Sequence, residues 1–484
     1  MCGGAEMPES AAELGMVGLG TMGRNLLLNM ADHGHAVAGY DRDPAKLELL
    51  SAEAAGRPIT TAASARELVE RLSSPRVVMI LVPAGSAVDA VIDEFRPLLE
   101  PGDVIIDGGN SFYGDTARRT TELAGTGIHF LGVGVSGGEA GARRGPSMMP
   151  GGDKAAYEIV RPLLEDVAAR VDDEPCVAYL GPGAAGHYVK MVHNGIEYGV
   201  MQLIAESYDL MKRGLGLGSD EIQEAFLAWG QGELASYLID ITAVILGTRD
   251  PDTGEPLLDL ILDEAAQKGT GRWTAQESME LGVPLPIIDL AVVARSISAR
   301  KSEREALSAL ISGPGRESPA ELSLESIREA LYAAVILTYS EGFGLLAVAT
   351  TEYGFGLDLE TVARIWRGGC IIRAALLEEI RTAFEREPAL ASFLFDPDLS
   401  ARIVERQAAL REVVCAGAAD GIALPAHMAA LAHFDGHRSA RLPANLTAAQ
   451  RDFFGAHTYR RIDRDGVFHT DWDETDEGSN RTEG

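Results

Sequence analysis

Residues 14–43, "LGMVGLGTMGRNLLLNMADHGHAVAGYDRD", set the architecture of the first part of this chain. A short apolar strand runs into Gly18, Gly20 and Gly23, and an amphipathic helix and a second strand ending at Tyr40 follow. Glycines in this GxGxxG spacing permit a tight turn, a close approach of backbone to a pyrophosphate, and tight packing of helix on strand. The N-terminus of the helix adds free N–H groups and the positive end of a dipole. The stretch therefore predicts a βαβ unit that binds a dinucleotide.

The residues after the second strand bear on which dinucleotide fits. A carboxylate at the position of Asp41 accepts hydrogen bonds from the adenosine hydroxyls and repels a 2′-phosphate, which favours NAD. Asp43 adds to that repulsion, whereas Arg42 could grip a phosphate or stack on adenine. The cofactor choice therefore stays open at this point.

Two further strand-like runs, "RVVMILVPA" at residues 76–84 and "GDVIIDGGNS" at residues 102–111, each precede a helical pattern. Strands that alternate with helices predict a parallel, doubly wound sheet whose ligands bind at the carboxyl ends of the strands. Asn110 and Ser111 lie at such an end and are candidates for contact with a ligand.

A third run, "GVSGGEAGARRGPSMMPGG" at residues 134–152, is unusually rich in glycine. One interpretation is a flexible turn. The other is a backbone cradle in which Ser136, Gly137 and Gly138 offer donors to an anionic group near the nicotinamide.

From about Gly186 onward the pattern changes to helix after helix. Two segments built around Trp229 and Trp366 each run helix, tryptophan, glycine-rich turn, helix, which suggests an internal duplication. We therefore predict an α/β plus all-α chain, with a Rossmann-like doubly wound parallel sheet followed by a large helical domain. The predicted parts are a disordered leader over residues 1–13, a dinucleotide-binding domain over 14–185, a helical domain over 186–440 and a C-terminal tail over 441–484.

The composition narrows the possible functions. A formal net charge of −30 over 484 residues argues against binding to nucleic acid or to anionic lipid, because both are themselves negative. The four cysteines are scattered and form no CxxC pair, which predicts a reduced, cytoplasmic protein without a structural zinc site. The most apolar run, residues 331–349, contains Glu341 and two glycines, so we expect a buried helix there and no membrane span.

Residues 190–199, "KMVHNGIEYG", place a base, an acid and two hydrogen-bonding side chains on one predicted helix. An α-helix turns about 100° per residue, so Lys190, His193, Asn194 and Glu197 share one face. A solvated polar stripe is the alternative to a catalytic face.

Other basic residues are candidates for binding an anion. Lys268 precedes a Gly-Thr-Gly turn, so an ammonium, the Thr270 hydroxyl and free amides could converge on one phosphate. Arg295 lies on an otherwise apolar helix stretch, where an exposed salt bridge is the competing interpretation. Near the end of the chain, Arg451 and His457 flank an aromatic pair.

Together these motifs resemble those of the long-chain, decarboxylating 6-phosphogluconate dehydrogenases. The similarity extends over nearly the whole sequence and includes "GLGTMG", "DGGNS", "GVSGGEAGARRGPSMMPGG", "KMVHNGIEYG", "QKGTGRWT" and "QRDFFGAHTY". It implies oxidative decarboxylation of 6-phospho-D-gluconate to D-ribulose 5-phosphate and CO2 with reduction of NAD(P)+, a step of the pentose phosphate pathway and of gluconate utilisation. It also implies a homodimer with shared active sites.

The same resemblance implies roles for individual residues. Lys190 would be the proton acceptor and Glu197 the proton donor, and no metal would be needed. The substrate carboxylate and hydroxyls would contact Asn110, Ser136, Gly137, Gly138, His193 and Asn194. The phosphate would contact Tyr198, Lys268, Thr270 and Arg295, with Arg451 and His457 donated by the tail of the partner subunit. The cofactor contacts would be Gly18, Leu19, Gly20, Thr21, Met22, Gly23, Asp41, Arg42, Asp43, Val82, Pro83, Ala84 and Asn110.

The chain departs from the family pattern at the cofactor. Family members that use NADP commonly carry Asn-Arg-Thr where this chain has Asp41, Arg42 and Asp43, and often a lysine where it has Pro83. Both changes remove partners for a 2′-phosphate. The resemblance therefore predicts NADP, whereas the residues themselves favour NAD or use of both.

Two other functions compete with this interpretation. A β-hydroxyacid dehydrogenase of the hydroxyisobutyrate type shares the glycine-rich fingerprint and the lysine, but such chains are much shorter and lack the phosphate cluster. A catalytically silent dinucleotide-binding sensor would have no need of both Lys190 and Glu197, and both are present.

Overall fold

We describe a computed structural model of the chain over residues 11–267, 269–314 and 322–472. These residues form two compact units, a large one that ends at Leu431 and a small one that begins at Ala432. The domain boundaries predicted at residues 185 and 440 stay predictions.

Nine strands belong to the large unit. They are β1 (Leu14–Val17), β2 (Val37–Tyr40), β3 (Ile59–Ala62), β4 (Val77–Ile80), β5 (Val104–Asp107), β6 (His129–Ser136), β7 (Ser147–Gly152), β8 (Arg170–Val171) and β9 (Glu174–Pro175).

Seven helices accompany the sheet. They are α1 (Thr21–Asp32), α2 (Pro44–Glu53), α3 (Ala65–Arg71), α4 (Ser86–Phe95), α5 (Tyr113–Leu123), α6 (Gly138–Arg144) and α7 (Lys154–Val167).

The helices of the remaining chain follow one another without a strand in the described part. They are α8 (Ala185–Asp209), α9 (Ser219–Trp229), α10 (Tyr237–Gly247), α11 (Leu257–Leu260), α12 (Thr270–Leu281), α13 (Pro286–Ser298), α14 (Lys301–Leu310), α15 (Leu324–Glu352), α16 (Leu359–Trp366), α17 (Leu376–Arg386), α18 (Pro397–Asp420), α19 (Pro425–His437) and α20 (Ala444–Gly455).

Seven strands form one sheet in the order β3-β2-β1-β4-β5-β6-β7. The first six run parallel, and Val17 pairs with both Tyr40 and Ile80, while Ile80 pairs with Asp107. This register brings the carboxyl ends of β1, β2, β4 and β5 to one edge, where ligands of such sheets bind. The prediction of a Rossmann-like sheet followed by a helical domain is confirmed.

The glycine-rich run at residues 134–152 forms regular secondary structure and is not the flexible turn of the first interpretation, while the backbone cradle stays a prediction. It forms the end of β6, the helix α6 and the strand β7, and β7 is antiparallel to β6. The predicted all-parallel sheet therefore needs a correction at its last strand. Glycine and proline are rare in strand interiors, so this strand could not be predicted from its residues.

Helix α15 is the most apolar long helix of the described residues, and its length and composition alone would allow it to cross a membrane. Of its most apolar 18-residue window, 83% is buried inside the protein. It packs against α8 and α18 as the central helix of the large unit. The expected buried helix is therefore present.

Two buried glutamates accept hydrogen bonds from helix N-termini in a crossed arrangement. Glu206 of α8 accepts from the backbone N–H groups of Ala426 and His427 in α19, at 2.9 and 3.0 Å. Glu341 of α15 accepts from those of Ile287 and Ile288 in α13, at 3.0 and 3.1 Å. The first N–H groups of a helix have no partner within it, so each carboxyl satisfies two of them. We call this arrangement the crossed caps.

The turns after Trp229 and Trp366 also meet. Ser236 and Ala374 form an antiparallel bridge, and the N–H of Ala375 donates to the carbonyl oxygen of Ala235 at 2.9 Å. The internal duplication stays a prediction, but its two proposed repeats contact each other at equivalent turns.

Candidate active site

In the turn between β1 and α1, conformation and packing within the chain explain why Gly18 and Gly23 are glycines, but not why Gly20 is one. Gly18 has a φ of +98°, and a Cβ on Gly23 would lie 2.0 Å from the carbonyl oxygen of Gly18. At Gly20, by contrast, no heavy atom of the described chain lies within 4 Å of the Cβ position. Open space in front of bare backbone at a helix N-terminus fits the pyrophosphate of a dinucleotide.

A cavity of about 400 Å³ adjoins this turn and includes Asp41, Arg42 and Lys46 in its lining. The Asp41 carboxylate accepts from the N–H of Leu19 at 2.7 Å, from that of Asp43 at 3.0 Å, and from Lys46 Nζ at 3.1 Å. Burial alone would raise the pKa of Asp41, but these three donors lower it below its usual value. A charged carboxylate therefore lines the cavity beside the glycine turn.

Arg42 is paired across the same cavity. Its Nη2 donates to Glu94 Oε2 at 2.7 Å, and the side chain remains largely exposed. Neither Glu94 nor Lys46 was singled out from the sequence as a cofactor residue. Lys46 could have been found, since it lies in the first turn of the helix after Asp41; Glu94 is distant in sequence and gave no signal.

A second, larger cavity of about 870 Å³ lies at the carboxyl edge of the sheet, where the sheet meets the helices. Val82 and Pro83 line both cavities, so the two adjoin at the end of β4. Most of the predicted site residues line this second cavity: Met22, Val82, Pro83, Ala84, Asn110, Ser136, Gly137, Gly138, Lys190, Asn194, Glu197, Tyr198, Thr270 and Arg295. The sequence did not single out Ala266, Val135 or Ile371, which line it as well.

The sheet fixes where Lys190 stands. A Cβ on Gly134 of β6 would lie 2.4 Å from the Cβ of Lys190, so α8 can pass this close only because residue 134 is glycine. The side chain is 5% exposed, and its Nζ lies 3.5 Å from His193 Nδ1. Burial lowers the pKa of the Lys190 ammonium, although the negative charge of Glu197 opposes the shift. A lysine in this setting can give up its proton more readily than one in water.

His193 lies behind Lys190 and is fully buried, and it is not among the residues that line the cavity. Its Nε2 is 3.2 Å from Ser136 Oγ, and its Nδ1 is 3.0 Å from Asn194 Oδ1. Burial and the nearby lysine hold its pKa well below the usual value. A neutral imidazole satisfies both partners if Nδ1–H donates to Asn194 and Nε2 accepts from the Ser136 hydroxyl.

Glu197 is shifted in the opposite sense to Lys190. Burial raises the pKa of its carboxyl, despite the positive charges of Lys190 and Arg295. The two groups lie about 10 Å apart along the helix axis, on one face of α8. One cavity thus holds a base biased towards its neutral form and an acid biased towards its protonated form.

The far end of the cavity is cationic. Arg295 stacks on Tyr198 with its Cζ 3.5 Å from the ring centroid, and Thr270 stands at the N-terminus of α12. A guanidinium, a hydroxyl and free helix N–H groups are the donors that a phosphate prefers. Lys268, predicted for the same end, lies outside the described residues.

Arg451 and His457 belong to the small unit. Between them, the buried Asp452 accepts from the N–H groups of Thr458 and Thr470 and from Trp472 Nε1, at 2.9 to 3.0 Å. This one carboxylate joins α20, which carries Arg451, to the segment after it, which carries His457.

Two buried networks support the cavity from behind, and neither was foreseen. Arg119 is 1% exposed and binds Asp107 Oδ2 at 3.1 Å and the Gly85 carbonyl oxygen at 3.0 Å, which ties the loop after β4 to the end of β5. Glu277 of α12 accepts from the hydroxyls of Tyr113 and Tyr353, at 2.5 and 2.6 Å.

Within the described residues, no three His, Cys, Asp or Glu side chains are grouped so as to hold a metal ion. The open glycine turn, the adjoining cavities and the paired base and acid define a nicotinamide-dinucleotide-dependent oxidoreductase. Comparison with known proteins shows to which family of such enzymes the chain belongs.

Two family models match the chain. The NAD binding domain of 6-phosphogluconate dehydrogenase matches residues 13–181, and the 6-phosphogluconate dehydrogenase C-terminal domain matches residues 186–472. The chain belongs to the 6-phosphogluconate dehydrogenase family.

Similar proteins cover almost the whole chain. The NADP(+)-dependent, decarboxylating 6-phosphogluconate dehydrogenase of Bacillus subtilis is 51% identical over 96% of this chain and 99% of its own length. The decarboxylating enzyme of Escherichia coli K12 is 49% identical over the same shares. The structure of Plasmodium falciparum 6-phosphogluconate dehydrogenase superposes with a TM-score of 0.92 at 42% identity, covering 95% of this chain and 100% of that one.

Proposed function

We propose that this chain catalyses the oxidative decarboxylation of 6-phospho-D-gluconate to D-ribulose 5-phosphate and CO2, with reduction of NAD(P)+. The observation that carries the proposal is the pair of Lys190 and Glu197. They line one cavity from one face of α8, with pKa shifts of opposite sign that suit a base and an acid.

Lys190 begins the reaction in its neutral form and takes the proton of the substrate C3 hydroxyl. A bound nicotinamide supplies the acceptor for the hydride that leaves C3. The resulting ammonium of Lys190 then polarises the C3 carbonyl oxygen, so that CO2 can depart and leave an enediol. Glu197 protonates the carbon that becomes C1 of the product.

The other cavity residues hold the substrate in this proposal. Asn110, Ser136, Gly137, Gly138 and Asn194 bind the carboxylate and hydroxyls, with His193 orienting Ser136 and Asn194 from behind. Tyr198, Thr270, Arg295 and Lys268 bind the phosphate. A protein of strongly negative net charge thus binds a trianionic substrate through a few converging cations.

The test is the appearance of reduced cofactor at 340 nm with 6-phosphogluconate, run in parallel with NAD+ and NADP+. Ribulose 5-phosphate and CO2 should form in amounts equal to the reduced cofactor. Lys190→Met should abolish the reaction, whereas Lys154→Met, outside both cavities, should leave it intact. Absence of reduction with either cofactor would refute the proposal.

For the cofactor we propose use of both NAD+ and NADP+, with NAD+ at least as effective. Asp41 and Asp43 repel a 2′-phosphate, while Arg42 and Lys46 offset part of that charge. The Bacillus relative is named NADP(+)-dependent, and the Plasmodium structure is described in complex with NADP+. A hundredfold preference for NADP+ in kcat/KM would overturn this part of the proposal.

We also propose a homodimer in which Arg451 and His457 complete the active site of the partner subunit. Large apolar side chains are exposed on α12 to α14 and the segments beside them, including Met279 at 74%, Leu310 at 81% and Ile311 at 67%. Exposed apolar surface of this kind is typical of a face that a partner covers. Sedimentation equilibrium at micromolar concentration tests the state, and a monomer that is fully active would contradict it.

The compartment that fits this chain is the cytoplasm. Cys176, Cys370 and Cys415 are all free thiols. Unpaired cysteines are typical of a reducing compartment.

A further inference from the structure

The helix with the base and the acid, α8, crosses the helix with the proposed phosphate end, α12, at two glycines. A Cβ on Gly195 of α8 would lie 2.6 Å from Thr274 Cγ2 of α12. A Cβ on Gly271 of α12 would lie 2.4 Å from Tyr198 Cδ2 of α8. Each helix therefore supplies one glycine and receives one side chain from the other. We call this the glycine crossing.

The crossing leaves no room for a methyl group. Carbon atoms in contact are about 3.5–4.0 Å apart, so an alanine at either glycine requires a displacement of about 1 Å. At Gly271 the obstacle includes Tyr198 Cγ, 3.0 Å from the Cβ position. That atom lies at the root of the ring, so turning the ring does not remove the clash, and the helices or the tyrosine must move.

What would move is the phosphate end relative to Lys190 and Glu197. Tyr198 carries the stacked Arg295 guanidinium on its ring, and Thr274 Oγ1 donates to the carbonyl oxygens of Met191 and Thr270 at 2.9 and 3.1 Å. Tyr198 is thus part of the phosphate end of the cavity. Thr274 is hydrogen-bonded both to Thr270 at that end and to the backbone of α8 beside Lys190.

We propose that Gly195 and Gly271 are positioning residues, which set the distance between the phosphate-binding end of the cavity and the base and acid on α8. The substrate is held at its phosphate and reacts at the other end of a six-carbon chain. A displacement of about 1 Å at one end therefore misplaces the reacting carbon, and such an error can cost about 100-fold in rate.

The chain contains a matched control on the same helix. A Cβ on Gly199 would lie 2.6 Å from Thr338 Cγ2, the same distance and atom type as at Gly195. Thr338 belongs to α15, not to α12, and it is fully buried. Gly199→Ala therefore tests a similar packing clash that does not involve the glycine crossing.

The experiment compares the full-length wild type with Gly195→Ala, Gly271→Ala and Gly199→Ala by steady-state kinetics and melting temperature. Gly195→Ala and Gly271→Ala should lower kcat/KM for 6-phosphogluconate about 10- to 100-fold, with KM for the dinucleotide unchanged within about twofold. With gluconate, which lacks the phosphate, the same variants should lose less than about threefold. Gly199→Ala should melt earlier but keep the wild-type kinetic constants.

A compensating change keeps the test decisive if an alanine variant is poorly folded. Thr274→Ser removes Cγ2, the nearest of the three Thr274 atoms that an alanine at residue 195 would strike, and keeps the hydroxyl, while Oγ1 and Cβ stay at 2.9 and 3.0 Å from the Cβ position. The double variant Gly195→Ala/Thr274→Ser should therefore regain part of the lost kcat/KM. Equal losses with both substrates, equal losses in Gly199→Ala, or wild-type kinetics in Gly271→Ala would each overturn the inference.

The inference rests on the proposed function, and the two can fail separately. A wild type that does not oxidise 6-phosphogluconate would end the proposed function. A wild type that does, with variants that match it, would end the inference alone.

Discussion

Lys190 and Glu197 show how burial can assign opposite roles to two residues of one helix. Taking a charged group out of water disfavours its charged form, so the lysine loses affinity for its proton and the glutamate gains it. Each therefore moves towards the protonation state that its proposed step requires, and neither needs a dedicated partner for that purpose.

A bell-shaped pH profile of kcat/KM follows from these shifts. Activity should rise as Lys190 loses its proton, at a pH below the usual range of lysine, and fall as Glu197 loses its proton, at a pH above the usual range of glutamate. Glu197→Gln should lower activity about 10²- to 10⁴-fold and abolish the alkaline fall, since the alkaline limb reports the acid.

The exposed Glu352→Gln serves as the control for that measurement, and its profile should match the wild type. An alkaline limb that persists in Glu197→Gln would assign the acid to another group.

Cofactor choice should respond to single charges beside the adenosine cavity. Asp41→Asn removes a negative charge and keeps an acceptor, so the ratio of kcat/KM for NADP+ to that for NAD+ should rise at least about tenfold. Lys46→Ala should lower the ratio, because it leaves Asp41 without its ammonium partner. Glu48→Gln, exposed on the same helix as Lys46, should change nothing. An unchanged ratio in Asp41→Asn would show that the carboxylate does not face the 2′-position.

At the scale of elements, the crossed caps join helices that are distant in sequence, α8 to α19 and α15 to α13. The helix that carries Lys190 and Glu197, α8, supplies the acceptor for α19, and the central helix α15 supplies the acceptor for α13. Buried N–H groups without an acceptor are costly, so each glutamate stabilises a helix that is distant in sequence.

Removing one cap should therefore destabilise the fold. Glu341→Met keeps the size of the side chain but leaves two buried N–H groups without this acceptor. At about 1–3 kcal/mol per group, the free energy of unfolding should fall by about 2–6 kcal/mol. Glu352→Met, exposed on the same helix, should change it by less than about 0.5 kcal/mol. Urea denaturation measures both, and equal values for the two variants would contradict the role of the cap.

Sequence patterns were informative for elements whose periodicity is local. The glycine fingerprint, the parallel strands and the polar face of α8 could all be predicted, because each depends on spacing within a few residues. The strand β7 could not, since its glycines and proline are typical of loops. Other features depend on tertiary contacts between distant segments, which one sequence does not reveal. They are the Arg42–Glu94 pair, the hydrogen bonds from Tyr113 and Tyr353 to Glu277, and the crossed caps.

The same limit applies to the site residues, because helical spacing predicts which side chains share a face but not how deeply each is buried. Lys190, Asn194 and Glu197 line the cavity from the face that the helical spacing predicted. His193 shares that face but lies one layer deeper, against Ser136 and Trp366. Depth depends on what packs against the helix, so the helical spacing alone could not predict it.

At the scale of the whole molecule, an active site completed by the partner subunit should allow two inactive variants to complement each other in a mixed dimer. Lys190→Ala and Arg451→Ala are each expected to be inactive. If Arg451 acts on the partner, a mixed dimer of the two contains one intact site and one doubly damaged site. Random pairing of equal amounts should then restore about a quarter of the wild-type activity.

Co-expression of the two variants with different tags, followed by purification on both tags, measures the repair directly. Lys190→Ala paired with Glu197→Ala is the control. Each change then damages the site of its own subunit, so neither site of the mixed dimer is intact. No recovery in the first pair would place Arg451 in its own subunit's site or outside any site.

The crossed caps also bear on how the chain is made. A ribosome delivers residues from the N-terminus at about 5–20 per second, so α13 emerges roughly fifty residues, about 3–10 s, before the glutamate that accepts its first N–H groups. Until then water is the acceptor for those N–H groups, and the apolar side chains that α15 has yet to cover stay exposed. A translation product that stops short of Glu341 would keep that apolar surface exposed, however complete its dinucleotide-binding half.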